Sequence, residues 1–343
     1  FQSVMNSLFL LALFLASGVF DTLCAQRIVY LGASNMRSMF SLFAYYLSSA
    51  LIGLSPIRFA DRETDNPVKE PDEEKDMLVN KEGRVDVEKK ALSESYPISL
   101  RFAYLLTALC DFTGYIIRTI GLSYCGSGLF QVAFSSVAIW SALYSRIILK
   151  RPINRVQWLG IGIVTLGLVL SPLSAQNTSN SPLTGILLTL LGAQFYALSY
   201  ILNEYISTIP GNGGSKNTCK WIGIINTILS SIFILVDTYP NRDTLIMQPL
   251  KSRKSSLSTV MKATALYVAS HFVHSWALFS IQGVLGAVWT GLLQCVRACV
   301  VFVVSGYLYC GADPNQCLTL SKGIATVLVC IGIVIFNKGK SQA

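Results

Sequence analysis

Apolar stretches of nearly constant length, separated by short polar breaks, run along the whole chain. A helix that crosses a bilayer needs roughly 20 mostly apolar residues. Ten windows of that kind occur: Ser7–Ala25, Ser38–Ile57, Leu100–Leu122, Gly128–Leu149, Val156–Ser174, Leu183–Ile206, Trp221–Tyr239, Ala263–Gln282, Ala287–Tyr309 and Leu318–Phe336. The pattern predicts an all-α membrane protein with ten transmembrane helices. The first window has no basic lead-in and no small-residue cleavage site, so it reads as a span and not as a signal peptide.

Composition supports this class. With 52% hydrophobic and 13% charged residues in 343, the chain falls well below the roughly 25% charge of soluble domains. Disorder, collagen-like repeats and disulfide scaffolds are excluded as well. A net charge of +9 suggests nucleic acid until the charges are located. Between Ile57 and Ile98 lie 12 of the 18 acids and 8 of the 27 bases, a net −4, so the rest of the chain carries +13. That excess sits largely at the flanks of the apolar windows and reports topology, with no nucleic-acid partner implied. The 57–98 segment cannot bury a core and reads as a disordered cytosolic loop, either a solvated linker or a regulatory tail.

Lys150, Arg151 and Arg155 in the shortest basic connection set the cytosolic side. Both termini and the charged loop then face the cytosol. The segment Ala175–Pro182 faces the lumen or exterior, where Asn177-Thr178-Ser179 is a glycosylation acceptor. Arg242, Lys251, Arg253, Lys254 and Lys262 fall on the outer side and conflict with this orientation, although in a longer loop.

The two halves resemble each other weakly. Phe20 and Tyr30 overlay Phe195 and Tyr205 at an offset of 175, and Gly128–Leu168 overlays Gly286–Ile333. Five spans per half force the second copy upside down, so residues 1–174 and 183–337 read as two inverted five-helix repeats with a site between them. The stretches Ala108-Leu109-Cys110-Asp111-Phe112-Thr113-Gly114, Gly128-Leu129-Phe130-Gln131 and Gln157-Trp158-Leu159-Gly160 make the chain similar to the drug/metabolite transporter superfamily. Within it, the chain resembles solute carrier family 35, near its F branch and the chloroquine-resistance-type transporters. The resemblance implies an endomembrane carrier (Golgi, ER, vacuole or lysosome) that rocks two halves around a polar or charged metabolite. A nucleotide-sugar antiporter is the alternative within that family. However, the Asn-Lys pair of those carriers has no counterpart in the ninth window.

An ionisable side chain in a span costs roughly 2.5–3.5 kcal/mol and normally faces a partner or a wet cavity. Gly286, Thr290, Gln294 and Arg297 recur at steps of four, four and three, on one helical face. Arg297 reads as an anchor for an anionic group, or else as a structural partner of Glu204 or Asp111. Asp111, Tyr115 and Arg118 share a face of the third window, with Arg118 free to snorkel at its outer end. Tyr196, Tyr200 and Glu204 form a stripe whose carboxylate can carry a coupling proton or sit exposed at the interface. Gln131, Ser135 and Lys322 complete the expected lining, and Lys322 can equally cap the interface.

Asp21, Asp111, Glu204, His271, His274 and Lys322 are the coupling or gating candidates. His271 and His274, three apart, read as a polar or pH-sensitive pair, since no further ligand at metal spacing accompanies them. Three intramembrane bases (Arg118, Arg297, Lys322) against three acids (Asp21, Asp111, Glu204) predict a nearly neutral interior. Gly160, Gly162, Gly167, Gly323 and Gly332 read as close-packing positions. Cys310 and Cys317 bracket a short lumenal connection and can form a disulfide. No nucleophile–base arrangement, metal centre or cofactor motif is visible, so an enzyme is not expected. The predicted partners are a small polar or anionic metabolite, the lipid bilayer and, as an oligomer, a homodimer. The competing class is a non-transporting scaffold or receptor acting through the charged loop.

Overall fold

The computed structural model describes residues 2–33, 38–60, 99–150, 152–170, 182–209, 212–311 and 317–340. Among these residues every regular element is a helix. The long ones are α1 (Gln2–Tyr30), α2 (Phe40–Leu54), α3 (Leu100–Phe134), α4 (Val137–Ile148), α5 (Arg155–Leu170), α6 (Pro182–Thr208), α7 (Gly214–Phe233), α8 (Leu257–Leu285), α9 (Ala287–Tyr309) and α10 (Leu320–Lys340). Each of the ten apolar windows holds a helix among its described residues. Five segments, Leu8–Tyr30, Leu100–Cys125, Leu183–Ser207, Gly214–Thr238 and Ala287–Tyr309, are long and apolar enough to cross a membrane. Residues 61–98 and Asn177 lie outside the described residues, as do the side chains of Gln131 and Lys322.

One boundary differs from the sequence pattern. A break was expected between Leu122 and Gly128, yet α3 runs unbroken to Phe134 and the chain turns at Ser135–Ser136. Gly126 and Gly128 each lower helix propensity by about 1 kcal/mol, but no proline or charge accompanies them to end the helix.

The start of α5 carries its own signal. Asn154 accepts from the Gln157 N–H (2.8 Å) while Gln157 accepts from the Asn154 N–H (2.9 Å), a reciprocal capping box. Asn154 also donates to the Gly339 carbonyl, which brings the α4–α5 connection and the end of α10 to the same end of the bundle.

Helices α5 and α10 approach backbone to backbone. A Cβ on Gly160 would lie 2.7 Å from the Gly332 carbonyl oxygen, and one on Gly332 the same distance from that of Gly160. Gly167 meets the Ala325 carbonyl in the same way, whereas Gly162 and Gly323 face open space and serve no packing role. A second seam joins α3 to α6. There Tyr115, Phe130, Phe134, Tyr196 and Tyr200 belong to one buried cluster that extends to α2 through Leu42 and Tyr46. Near the end of α9 a disulfide joins Cys310 to Cys317.

Candidate functional site

A cavity of about 70 Å³ lies where α1, α2, α3, α6, α8 and α9 meet. Its lining includes Asp21 and Gln26 of α1, Tyr45 of α2, Tyr115 and Arg118 of α3, Tyr196 and Tyr200 of α6, Tyr267 and His274 of α8, and Gln294 and Arg297 of α9.

Arg297 is buried at 7% exposure. Its Nη1 donates a long bond of 3.4 Å to the Gly18 carbonyl, and its Nε is buried with no hydrogen-bond partner among the described residues. The side chain runs so close to α1 that a Cβ on Gly18 would meet its Cδ. Neither Asp111 nor Glu204 pairs with it. One turn up α9, the Gln294 amide donates to the Tyr200 hydroxyl (3.0 Å), leaving its Oε1 unpartnered.

Arg118 does not snorkel outward. Its guanidinium stands 4.5 Å from the Tyr115 ring centre, 5.0 Å from Tyr196, 5.6 Å from Phe134, 5.9 Å from Phe130 and 6.0 Å from Tyr45. Its Nε also donates to the Tyr196 hydroxyl (3.1 Å). The ring faces attract the cation, which explains why an inward position outcompetes the interface.

Asp21 is buried and lies 3.2 Å from Nδ1 of His271. The Nε2 of His271 faces the Ser49 hydroxyl at 3.5 Å, and its ring lies on that of Tyr45 with centroids 3.7 Å apart. His274 bonds Ser17 (3.2 Å) and reaches the cavity.

Several sequence-derived residues lie elsewhere. Asp111 accepts from the Tyr46 hydroxyl (2.7 Å) and from Ser199 (3.4 Å), off the cavity. Glu204 is buried rather than interfacial and accepts from the Ala287 N–H (2.8 Å), capping the start of α9. A carboxylate there meets the positive end of the helix dipole. The chain turns into α9 at Gly286 with φ 86°, and a Cβ at Gly286 would lie 2.7 Å from the Glu204 carboxylate. Thr290 is fully buried and donates to the Gly286 carbonyl (2.9 Å), while Ser135 sits buried at the α3–α4 turn, where its carbonyl faces Cys295. The expected near-neutral interior therefore needs correction at the cavity: its charged lining is two guanidiniums and one carboxylate. Tyr45, Tyr267 and Arg118 were not expected in the site, although Arg118 stands three residues after Tyr115 on one helical face.

Residues 84–172 match the model of the EamA-like transporter family. The chain carries an EamA-like transporter segment. That segment comprises α3, α4 and α5, so it contains Tyr115, Arg118, Phe130 and Phe134, while Asp21, His271 and Arg297 lie outside it. An uncharacterized protein of Schizosaccharomyces pombe is 31% identical over 112 residues, 32% of this chain and 35% of its own length. Solute carrier family 35 member F6 of mouse is 33% identical, and that of human 32%, each over 108 residues and 29% of both chains. These matches span about a third of the relatives' length. A solved crystal structure, 9% identical, aligns over 94% of both chains with a TM-score of 0.54, a likeness of fold alone. The resemblance to the drug/metabolite transporter superfamily and solute carrier family 35 thus rests on homology as well as on residues. The chain thus shares an EamA-like segment with a transporter family and has, among the described residues, five helices long and apolar enough to cross a membrane.

Proposed function

We propose that this chain is a secondary carrier for a small organic anion with a planar body, bound in the central cavity and released by alternating access. The observation that carries the reading is Arg297, a buried guanidinium with an unpartnered Nε and no carboxylate paired to it, in a cavity walled by tyrosines. A guanidinium stays charged when buried, so an unpartnered N–H there suits a carboxylate, sulfonate or phosphate acceptor. The ring walls add stacking area for an unsaturated body.

The packing pattern supports two exchangeable halves. If α1 to α5 correspond in order to α6 to α10, the contact of α3 with α6 must recur as α8 with α1, and that of α4 with α6 as α9 with α1. Both pairs pack together, as do the self-related pairs α2–α7, α4–α9 and α5–α10. Such inverted repeats underlie rocking about a midplane site.

The orientation gains support in the same way. Gly167 of α5 meets Ala325 of α10, so the end of α5 and the Cys310–Cys317 disulfide share one end, suited to an oxidising lumen. Asn154 in the basic α4–α5 connection bonds Gly339 near the end of α10, so Lys150, Arg155 and Lys338 belong to the other end, which we assign to the cytosol, with an endomembrane as the setting.

The test is uptake of a fixed anion, benzenesulfonate, and of a panel of aromatic carboxylates into liposomes containing the full chain. Saturable uptake lost in Arg297→Ala supports the reading. Uptake by that variant at the parent rate, or no uptake of any anion by the parent, removes it.

A further inference from the structure

The anion reading leaves the Asp21–His271 pair unused. We propose that this pair is a proton-binding site that fills when an anion binds beside Arg297, which makes the carrier an anion–proton symporter. The inference rests on the anion reading and names what travels with the anion.

The geometry is that of a site built for a protonated imidazole. Such a ring donates from both nitrogens and needs two acceptors. Nδ1 of His271 has the Asp21 carboxylate at 3.2 Å, and Nε2 has the Ser49 hydroxyl at 3.5 Å, which in turn bonds Ser275 at 3.0 Å. His271 itself is 1% exposed. His274 differs: it bonds the Ser17 hydroxyl at 3.2 Å and feels Asp21 only through space.

Other titratable and charged groups face the pair from each neighbouring helix. On α8 itself these are Tyr267, 6.1 Å from His271 between ring centres, and His274 at 6.0 Å. From α2, Tyr45 covers the ring face. From α3, Arg118 and Asp111 act at longer range, and from α9 Arg297 faces Asp21. The guanidinium of Arg297 reaches the Gly18 carbonyl, one turn before Asp21 on α1.

Charge then links the two sites. Without a ligand, the positive Arg297 faces Asp21 and opposes a second positive charge on His271. An anion at Arg297 cancels that opposition and adds a negative charge to the cavity, so His271 holds a proton more tightly. By linkage the proton strengthens anion binding by the same factor. A monoanion and one proton cross together with no net charge, and both leave when the site opens on the other side.

The experiment uses the full chain in nanodiscs with benzenesulfonate, whose charge does not change between about pH 5 and 9. Calorimetry in phosphate and in Tris, buffers that differ in ionisation heat, counts protons taken up per anion bound. The parent is expected to take up protons as the anion binds, with anion affinity falling about tenfold as pH rises through the range of that uptake. His271→Gln is expected to bind the anion with no proton uptake and a flat pH profile. Anion binding by the parent with no proton exchange overturns the proton site and leaves the anion reading intact.

A parent that binds no benzenesulfonate overturns the anion reading for such ligands, and a ligand-free arm then decides the proton site. In that arm the His271 ring signal is followed by NMR against pH. Its midpoint must move to higher pH in Arg297→Gln and to lower pH in Asp21→Asn. An unmoved midpoint in both variants overturns the proposal.

Discussion

Two guanidiniums, Arg118 of α3 and Arg297 of α9, line one cavity and meet opposite surroundings. Arg118 is held in a box of five rings and bonds Tyr196, so its charge is compensated within the protein. Arg297 meets one carbonyl at long range and keeps an unpartnered Nε. A charge already cradled by quadrupoles gains little from a ligand, whereas one that keeps an unpartnered N–H gains more, because burying that donor unpaired costs energy. The difference assigns recognition to the α9 wall and shape to the α3 wall.

The largest effect should follow from removing the guanidinium that keeps an unpartnered N–H. Arg297→Ala is expected to abolish anion uptake while the purified protein keeps its helical circular dichroism and elution volume, since no ion pair of the fold is broken. Arg118→Ala comes next. It is expected to raise KM for anion uptake about tenfold and to lower thermal stability by roughly 1–2 kcal/mol, because five rings lose the cation that fills their centre. Equal losses of uptake with unchanged stability in both variants would erase the distinction between the two walls.

The helical class and the positions of the ten apolar windows were legible because a bilayer-spanning helix must satisfy its own backbone and so leaves an unbroken apolar stretch. Helical spacing also identified Arg297, Gln294, Tyr115 and Tyr200, which line the cavity. Spacing could not say which helix a face meets. Thr290 lies on the same stripe as Gln294 and Arg297, yet it is one turn too close to the α8–α9 junction and is packed away. Glu204 looked interfacial because it ends a stripe, but its partner is the backbone of a helix that begins 83 residues later. Arg118 was misjudged for the same reason: the rings of Tyr45 and Tyr196 come from other helices.

A finer probe of the box is Tyr196→Phe. It removes one hydroxyl that accepts from Arg118 and keeps the ring, so about 1 kcal/mol is at stake. Anion KM is expected to rise about threefold to fivefold, less than in Arg118→Ala. A loss as large as that of Arg118→Ala would mean that the hydrogen bond, and not the ring box, orients the guanidinium.

The smallest effect is expected at Thr290. Its hydroxyl donates to the Gly286 carbonyl within α9 and is fully enclosed, so no solute in the cavity can reach it. Thr290→Val keeps the shape and removes a bond that the helix makes with its own backbone, a change of about 1 kcal/mol in stability at most. Uptake is expected to stay within about a factor of two of the parent. Because Thr290 and Arg297 share one helical face, the pair separates lining by periodicity from lining by packing. A large loss of uptake in Thr290→Val would extend the anion wall along all of α9 down to the Gly286 turn, and the contrast with Arg118 would then belong to whole helices and not to two guanidiniums.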